Sequence, residues 1–332
     1  MTDEKAEVVF GVGTMIDDGK PATAVVVNDQ VASLASIVAR HSTPGAIAPV
    51  MRDFMPDWNR WHDWLRGLDL KPVPDEGWKP VDAVKFMAPV PEPWNIFQTY
   101  HNFERPSRIT GQVDPPKHLR VFPDMFMASR SALGGYGDKV YREHGVFQFD
   151  FELEVTAVIG KPAYRVKAER ADEYIAGYVI ANDYTTHFSW WSDWRKGRRT
   201  NDSIRMKNFP GYTPVSRAIV PRDIVGDPCD LWVKATIDGV LRQDTRTNAM
   251  IWHVSELVEY LSHVMELRPG DMIMAGSPEE LPLPPDTKKG LHSGQVVICQ
   301  VENLGRLANT IADQTERQPK EPENPVPPQG GH

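Results

Sequence analysis

The stretch Asp150–Lys161 reads DFELEVTAVIGK, and its first half places an acid at every second position of an otherwise apolar segment. The three acids are Asp150, Glu152 and Glu154. In an extended chain successive side chains point to opposite faces, so these acids would share one face of a strand, with next neighbours about 7 Å apart. The ordinary interpretation is the solvated outer face of an antiparallel strand.

The second half of the stretch argues against that interpretation. TAVIGK continues the strand with apolar residues on both faces, which is typical of a strand that enters a protein core. The acids would then lie at the mouth of the core. Half-buried acids of like charge require a cation between them or a bound proton, so the segment indicates a site.

A further acid, Asp183, closes the run YVIAND, which predicts a strand after a short helix in ADEYIAG stopped by Gly177. A strand end presents a ligand easily, although a turn acid fits the same pattern. These carboxylates offer only hard oxygen atoms, and no cysteine is near them in sequence. The set therefore suits Mg²⁺, Mn²⁺ or Ca²⁺ better than zinc.

The chain has 332 residues, which favours a large domain with a smaller partner. Prolines are frequent between residues 71 and 93 and indicate a linker. We expect a small N-terminal α/β domain at 1–90, a metal-binding catalytic domain at 91–314, and a disordered tail at 315–332. The tail is rich in Pro, Glu and Gln and cannot bury enough apolar surface to fold alone.

Apolar periodicity predicts helices over residues 30–42, over 51–68 with an interruption at Pro56, and over 255–267 with Ser255 as N-cap. From residue 148 onward, short valine- and isoleucine-rich runs alternate with turn signals, including an Asp-Gly hairpin at 238–239. The predicted fold class is therefore α+β and rich in β-strands.

The net charge of -8 argues against nucleic-acid binding, because the only dense basic stretch is RKGRR at 195–199. No apolar run approaches the roughly 20 residues that span a bilayer. Two cysteines and an N-terminus without a signal-peptide pattern favour a reducing, cytoplasmic location.

Five segments, in order and spacing, resemble the fumarylacetoacetate hydrolase family: FDFELEVTAVIGK, ADEYIAGYVIANDYTT, IDGVLRQDTRTNAMIW, LRPGDMIMAGSPEE and VENLGRLANTI. The resemblance covers roughly residues 88 to 310 and depends on the combination of segments. It implies a mixed β-roll with a small N-terminal domain, a homodimer, and one divalent metal, Mg²⁺, Mn²⁺ or Ca²⁺. The implied metal ligands are Glu152, Glu154 and Asp183.

In the family the metal chelates and polarises a 1,3-dicarbonyl or 2-oxo acid for carbon–carbon cleavage or decarboxylation. Lys207 in RMKNFPGY resembles the family's substrate-binding lysine, and Ser277 stands where the family usually has a threonine that holds a substrate oxygen. Gln243 matches a frequent family glutamine, and we interpret it as structural or as a support for the residues that contact metal or substrate, not as catalytic. Without the resemblance, Lys207 would read as a surface cation and Ser277 as a turn residue.

The chain departs from the family after the linker, where family hydrolases carry a water-activating histidine. That region reads IFQTYHNFERPSR, and its two possible alignments place Phe103 or Pro106 at the histidine position. The second alignment also places Thr99 where some members have a fourth metal-binding aspartate. His101 and Glu104 are the local candidates for the base, each with an exposed polar residue as the alternative.

A second departure follows Asp183, where the sequence reads YTTHFSWWSDWRKGRR. His187 there is a further candidate base. The aromatic residues of the Trp-rich loop 184–194 could line the site for a cyclic or aromatic substrate, but a dimer interface or core is the simpler interpretation.

These features support three functional hypotheses. The first is a metal-dependent hydrolase that cleaves a carbon–carbon bond in a β-diketone or acylpyruvate-type substrate, as in the degradation of aromatic or cyclic compounds. The second is a metal-dependent decarboxylase, isomerase or tautomerase of a 2-oxo acid, which needs a water-activating base less strictly. The third is a non-catalytic metal-binding homodimer. The intact set of acids favours the first.

Overall fold

The structure is a computed structural model, and it describes residues 10–43, 50–73, 76–104, 117–143, 146–189, 203–281 and 290–316. In that part of the chain the strands are β1 (Phe10–Asp17), β2 (Lys20–Val27), β3 (Gln30–Ser33), β4 (Lys79–Pro80), β5 (Ile96–Tyr100), β6 (Asp124–Ala128), β7 (Leu133–Gly134), β8 (Val140–Arg142), β9 (Val146–Asp150), β10 (Leu153–Ile159), β11 (Ile175–Asn182), β12 (Thr185–Ser189), β13 (Thr213–Pro214), β14 (Ala218–Pro221), β15 (Trp232–Ile237), β16 (Val240–Arg246), β17 (Met272–Met274), β18 (Val296–Val301) and β19 (Gly305–Asp313). The α-helices are α1 (Leu34–Val38), α2 (Met51–Phe54), α3 (Trp58–Gly67), α4 (Ser203–Lys207), α5 (Arg222–Val225) and α6 (Val254–Val264).

Two sheets dominate the fold. Ten strands form one sheet in the order β4-β3-β2-β1-β14-β11-β10-β17-β5-β6, and five form a second in the order β16-β15-β18-β19-β8. Most neighbours are antiparallel, but β17 runs parallel to β5 and β19 parallel to β8. The molecule is thus a mixed, strand-rich α+β fold with few helices, which confirms the predicted fold class.

The main core fills the space between the two sheets. Its members come from the inner faces of both sheets and from α6, including Leu153, Val155, Ala235, Val297 and Leu257. Along β10, Leu153, Val155 and Ala157 point into this core while the residues between them point to the opposite face of the ten-stranded sheet. Burial of such apolar faces stabilises the sheets by about 25 cal/mol per Å² removed from water.

A second core covers that opposite face. Helix α3 contributes Trp58, Trp61 and Leu65, which pack with sheet residues such as Val12 and Val158. The N-terminal strands continue the same sheet, because β1 pairs with β14. The domain division near residue 90 stays a prediction, and residues 317–332 of the predicted tail lie outside the described part of the chain.

Several local predictions need correction. Residues 30–33 form β3 rather than helix, because a turn with Asn28 at φ 54° folds this segment back onto β2. Gly177 does not stop a helix: it lies inside β11, where a Cβ would come within 2.1 Å of the Val220 carbonyl oxygen of β14. The N-cap of helix α6 is His253 rather than Ser255, and Glu256 completes the capping box. The helix interruption at Pro56 and the hairpin at 238–239 are confirmed.

The stretch that carries the acids is also not one strand. β9 ends at Asp150 and β10 begins at Leu153, so Phe151 and Glu152 form a break between them. The predicted common face therefore does not apply to all three acids. Asp150 accepts a hydrogen bond from Gln148 at 2.7 Å, apart from the other two acids.

In the described part of the chain, the helices are all too short or too polar to cross a membrane. The cytoplasmic location and the homodimer stay predictions.

Candidate metal and substrate site

Three acids meet at one end of the paired strands β10 and β11. Glu152 lies in the break before β10, Glu154 on β10, and Asp183 directly after β11. The antiparallel register places Leu153 opposite Asn182, which brings the start of one strand beside the end of the other. One carboxylate oxygen from each acid lies within 4.8 Å of the others.

Local hydrogen bonds hold this geometry. The Glu152 N–H donates to Oδ1 of Asn182 at 2.9 Å, and the Asp183 N–H donates to the Glu152 carbonyl oxygen at 2.8 Å. The Gly276 N–H, after β17, donates to Oε2 of Glu154 at 2.6 Å. Thr185 adds a longer contact of 3.3 Å from its hydroxyl to Oε1 of Glu152. These bonds hold together the segments that carry the acids, and the bond from Gly276 reaches a carboxylate directly.

Lys207 supplies the positive charge at this cluster. It ends the short helix α4 and is only 2% exposed. Its Nζ donates to Oε2 of Glu152 at 2.9 Å and also to Oδ2 of Asp183. Three carboxylates and one ammonium leave two net negative charges when all are ionised, and buried charge of that size requires protons or a further cation.

The environment raises the pKa values of two acids and of the lysine, which favours the neutral form of the acids and the charged form of the lysine. Burial, followed by the neighbouring carboxylates Asp183 and Glu152, raises the pKa of Glu154 well above its usual range. Burial likewise raises the pKa of Asp183 to about 7, although Lys207 opposes that rise. Burial works to lower the pKa of Lys207, but the attraction of Asp183 and Glu152 outweighs it, so the pKa is raised and the ammonium stays charged.

The donor set fits a divalent metal ion. All three acids present hard oxygens, and two of them, Glu154 and Asp183, are each 1% exposed. Oδ1 of Asp183 is buried without a hydrogen-bond partner among the residues that the structure describes. An orphaned carboxylate oxygen beside two other carboxylates is what a cation would satisfy. The cluster can therefore hold Mg²⁺, Mn²⁺ or Ca²⁺, and it does not distinguish among them.

Ser277 directly follows Gly276, whose N–H donates to Glu154. Ser277 is 7% exposed, and its hydroxyl accepts a hydrogen bond from Nε2 of Gln243 at 3.2 Å. The same Nε2 donates to the Pro278 carbonyl oxygen at 2.7 Å. Gln243 thus orients the turn that carries Ser277, as its interpretation as a structural residue predicts.

The candidate bases are placed less favourably. The side chains of His101 and Glu104 are both exposed. The loop that carries them is held through its backbone, with the His101 carbonyl oxygen accepting from Arg120 at 2.8 Å and the Glu104 N–H donating to Ala249 at 3.1 Å. His187 lies in β12, but its side chain, like residues 190–194 of the Trp-rich loop, is outside the described part of the structure.

Two residues of β5 were missed by the sequence analysis. Gln98 and Tyr100 share the face that looks toward Asp183, whereas Thr99 points away and donates to the Met274 carbonyl oxygen at 2.7 Å. Burial raises the pKa of Tyr100, and the charges of Lys207 and Asp183 also act on it. The sequence IFQTY does not mark either residue, because Gln98 and Thr99 are adjacent and only the register of the strand decides which of them meets the site.

A model of the fumarylacetoacetate (FAA) hydrolase C-terminal domain matches residues 95–312. The chain belongs to the fumarylacetoacetate hydrolase family. Its relatives in this family include the mitochondrial oxaloacetate tautomerase FAHD2B of Bos taurus, which is 30% identical over 70% of this chain and 71% of that protein. The homoprotocatechuate catabolism bifunctional isomerase/decarboxylase of Escherichia coli is 33% identical over 61% of this chain and 43% of its own length.

Solved structures of the family have the same fold. Maleylpyruvate hydrolase from Sphingobium sp. SYK-6, determined with manganese(II) and pyruvate, has a TM-score of 0.69 at 22% identity, covering 91% of this chain and 99% of that one. Fumarylacetoacetate hydrolase from Exiguobacterium antarcticum has a TM-score of 0.68 at 24% identity, covering 92% and 100%. The family thus contains hydrolases, tautomerases, isomerases and decarboxylases, and family membership alone does not select among them.

Proposed function

We propose that this protein is a divalent-metal-dependent enzyme that enolises a small 2-oxo acid or β-dicarbonyl compound, acting as a tautomerase, isomerase or decarboxylase. The observation that carries the proposal is the convergence of Glu152, Glu154 and Asp183 with Lys207. A metal bound by the three acids would polarise the two chelating oxygens of such a substrate as a Lewis acid. Magnesium and manganese are the ions we would test first.

The remaining side chains suit proton transfer and charge stabilisation. Lys207 keeps its positive charge in the buried site, so it can stabilise negative charge that develops on a substrate oxygen. The raised pKa of Tyr100, caused first by burial, keeps its hydroxyl protonated at neutral pH. Ser203 is near enough to share a hydrogen bond with that hydroxyl, and a bound substrate could replace Ser203 as its partner. Ser277 follows Gly276, whose N–H reaches Glu154, and its hydroxyl is a further candidate to hold a substrate oxygen.

Two relatives support enolisation as the common step. The Bos taurus relative is an oxaloacetate tautomerase, and the Escherichia coli relative is an isomerase/decarboxylase. Tautomerisation, isomerisation and decarboxylation of a 2-oxo acid all pass through negative charge on an oxygen next to the reacting carbon. None of them requires a water molecule to be activated, which suits a site whose sequence lacks the family histidine.

Carbon–carbon hydrolysis is the second candidate. It is favoured by the placement of His101 and Glu104 on a loop that Asn102 ties to the site, since Nδ2 of Asn102 donates to the Ala275 carbonyl oxygen at 2.8 Å. Either side chain could activate water if the loop presented it to a bound substrate. This candidate predicts cleavage of an acylpyruvate into two acids.

The test uses oxaloacetate and an acylpyruvate as substrates, with Mg²⁺ or Mn²⁺ and with EDTA. We expect metal-dependent interconversion of enol and keto oxaloacetate, seen by ultraviolet absorbance, and metal-dependent exchange of its C3 protons in D₂O, seen by NMR. Asp183→Asn should abolish both, whereas Asp150→Asn, which changes a neighbouring acid outside the cluster, should not.

Three other outcomes would decide against the proposal. Incorporation of ¹⁸O from labelled water into a cleaved acylpyruvate would favour the hydrolase. Turnover that survives EDTA and Asp183→Asn would exclude metal-dependent chemistry at this cluster. Metal-dependent stabilisation without turnover or proton exchange on either substrate would favour a non-catalytic metal-binding protein.

A further inference from the structure

Strand β16 carries a β-bulge beside the segment that follows β17. Gln243 lies opposite Ala235 of β15, but the next residue of β15 pairs with Leu241. Arg242 is therefore the extra residue on β16. Side chains alternate between the two faces of a regular strand, whereas a bulge interrupts that alternation and re-aims a side chain. At this bulge Arg242 and Gln243, although adjacent in sequence, both contact the segment after β17.

The segment 276–281 follows β17 and contains no helix or strand. Its first residue is Gly276, whose N–H donates to Oε2 of Glu154 at 2.6 Å. Gln243 supports this first part, because its Nε2 donates to the Ser277 hydroxyl and to the carbonyl oxygen of the next residue. A segment outside regular secondary structure depends on such contacts from neighbouring elements for its position.

Arg242 holds the other end of segment 276–281. Its carbonyl oxygen accepts a hydrogen bond from the Leu281 N–H at 2.6 Å, and its guanidinium donates to Oε2 of Glu280 at 2.5 Å. The backbone and the side chain of one residue thus bind two consecutive residues of the segment. Together with Gln243, Arg242 attaches the segment to the bulge near both of its ends.

The ion pair between Arg242 and Glu280 is partly buried, with side chains that are 12% and 25% exposed. Arg246 and Asp230 form a pair of the same type from the same strand at 2.6 Å, but their side chains are 43% and 54% exposed. Exposed ion pairs contribute little, because water and salt screen them. The pair at the bulge is screened less, so it holds the segment more strongly than an exposed pair would.

We propose that Arg242 is a positioning residue, whose ion pair with Glu280 keeps segment 276–281 where the N–H of its first residue reaches the acid cluster. Arg242 acts through the segment and needs no contact with metal or substrate. The same segment carries Ser277, so a shift of the segment would also displace a candidate group for a substrate oxygen. The inference rests on the proposed function, since it assumes that Glu154 binds a metal.

Arg242→Met tests the inference in Mn²⁺ titration calorimetry, because positioning and simple electrostatics predict opposite results. Removal of a positive charge should by electrostatics alone tighten the binding of a cation. If Arg242 positions the segment, Mn²⁺ should instead bind about 10-fold more weakly, a size known for residues that support metal ligands. Arg246→Met is the matched control. It removes the same charge from the exposed pair of the same strand and should bind Mn²⁺ within about twofold of the wild type.

Glu280→Gln is the second variant, and it keeps the inference testable if Arg242→Met does not fold. It breaks the same pair from the other side and should also weaken Mn²⁺ binding. The double variant should lose no more affinity than the more weakly binding single variant, because one pair is broken in all three. Arg242→Lys, which keeps the charge and a donor, should recover most of the affinity that Arg242→Met loses.

Two results would overturn the role of Arg242 while leaving the proposed function intact. The first is unchanged or tighter Mn²⁺ binding in Arg242→Met, or unchanged binding in Glu280→Gln. The second is a double variant whose loss equals the sum of the two single losses, since independent effects add. Failure of the wild type to bind Mn²⁺ would overturn both the role of Arg242 and the proposed function.

Discussion

The backbone N–H of Gly276 donates a 2.6 Å hydrogen bond to Oε2 of Glu154, which fixes a buried carboxylate of β10 to the turn after β17. Gly276 has a φ of 85°, a conformation that residues with a side chain rarely adopt. A Cβ at this position would lie 3.0 Å from Cβ of Asn102. The placement of Glu154 therefore depends on a glycine at 276, because any side chain there would have an unfavourable φ and a close contact with Asn102.

Gly276→Ala tests this dependence, with Gly294→Ala as the matched control. Gly294 also has a positive φ, 90°, but a Cβ there would meet nothing within 4 Å. The control should lose about 1–2 kcal/mol of unfolding free energy from conformation alone. Gly276→Ala should lose more in urea denaturation and should also weaken Mn²⁺ binding. Equal losses in the two variants, with unchanged Mn²⁺ affinity, would show that the contact with Glu154 does not matter.

Lys207→Met should change stability and metal affinity in opposite directions. Without the ammonium, three carboxylates share a buried site, so we expect a loss of about 3–5 kcal/mol in EDTA at about pH 8, as for other broken buried ion pairs. Mn²⁺ should bind more tightly, because the competing positive charge is gone, while turnover falls. Urea denaturation and calorimetry check these results. Lys234→Met, a half-buried lysine of β15, is the control and should change neither.

The raised pKa values predict how the metal-free protein depends on pH. Glu154 and Asp183 have higher pKa values in the folded chain than in the unfolded one, mainly because of burial. Their contribution to stability is therefore fully present below the unfolded values near 4 and is lost as the pH rises toward the folded values, about 7 for Asp183. Metal binding must displace these protons, so Mn²⁺ affinity should increase over the same pH range.

Glu154→Gln isolates this effect, because the amide mimics the protonated acid at every pH. In EDTA the variant should become more stable relative to the wild type as the pH rises from about 5 to 8. In excess Mn²⁺ the wild type should be the more stable of the two, since it binds the ion through Glu154 and the variant has lost that carboxylate. Melting temperatures across the pH range measure both trends, and a difference that is constant with pH would contradict the assignment.

The sequence predicts much of this site because its acids are marked by local patterns. Glu154 stands out as an acid in an apolar strand, and Asp183 as an acid at the end of another. The break at residues 151–152 could not be predicted, because it arises from the separate pairing of β9 with β12 and of β10 with β11. The alternation of polar and apolar residues alone predicts that the strand continues through residues 151 and 152.

Gln98 illustrates what one sequence leaves open. Its polar side chain has no unusual neighbour in sequence, and its position on the face that carries Glu154 and Asp183 follows only from the strand order β11-β10-β17-β5. The register of a strand decides which of two adjacent residues meets a site, so Thr99 and Gln98 could not be distinguished beforehand. Helix α6 was found readily, because its apolar residues recur at helical spacing within one short segment.

Tyr100→Phe separates catalysis from metal binding. The Tyr100 hydroxyl is buried beside Ser203, and its ring stacks on Phe126 with centroids 4.3 Å apart. Loss of the hydroxyl should leave Mn²⁺ affinity unchanged and should lower stability by no more than about 1 kcal/mol, the contribution of its hydrogen bond with Ser203. If the hydroxyl donates to the substrate as proposed, kcat should fall by about 10²-fold or more.

Tyr184→Phe is the control for that prediction. The Tyr184 hydroxyl is also buried and has no partner among the described residues, but its ring packs in the core between the sheets, stacked on Phe149 at 5.4 Å. Removing this hydroxyl should not affect turnover or Mn²⁺ binding. Steady-state rates of oxaloacetate tautomerisation compare the two variants. Equal rates for Tyr100→Phe and Tyr184→Phe would exclude Tyr100 as a donor to the substrate, because both changes remove the same group and only one of them faces the acids.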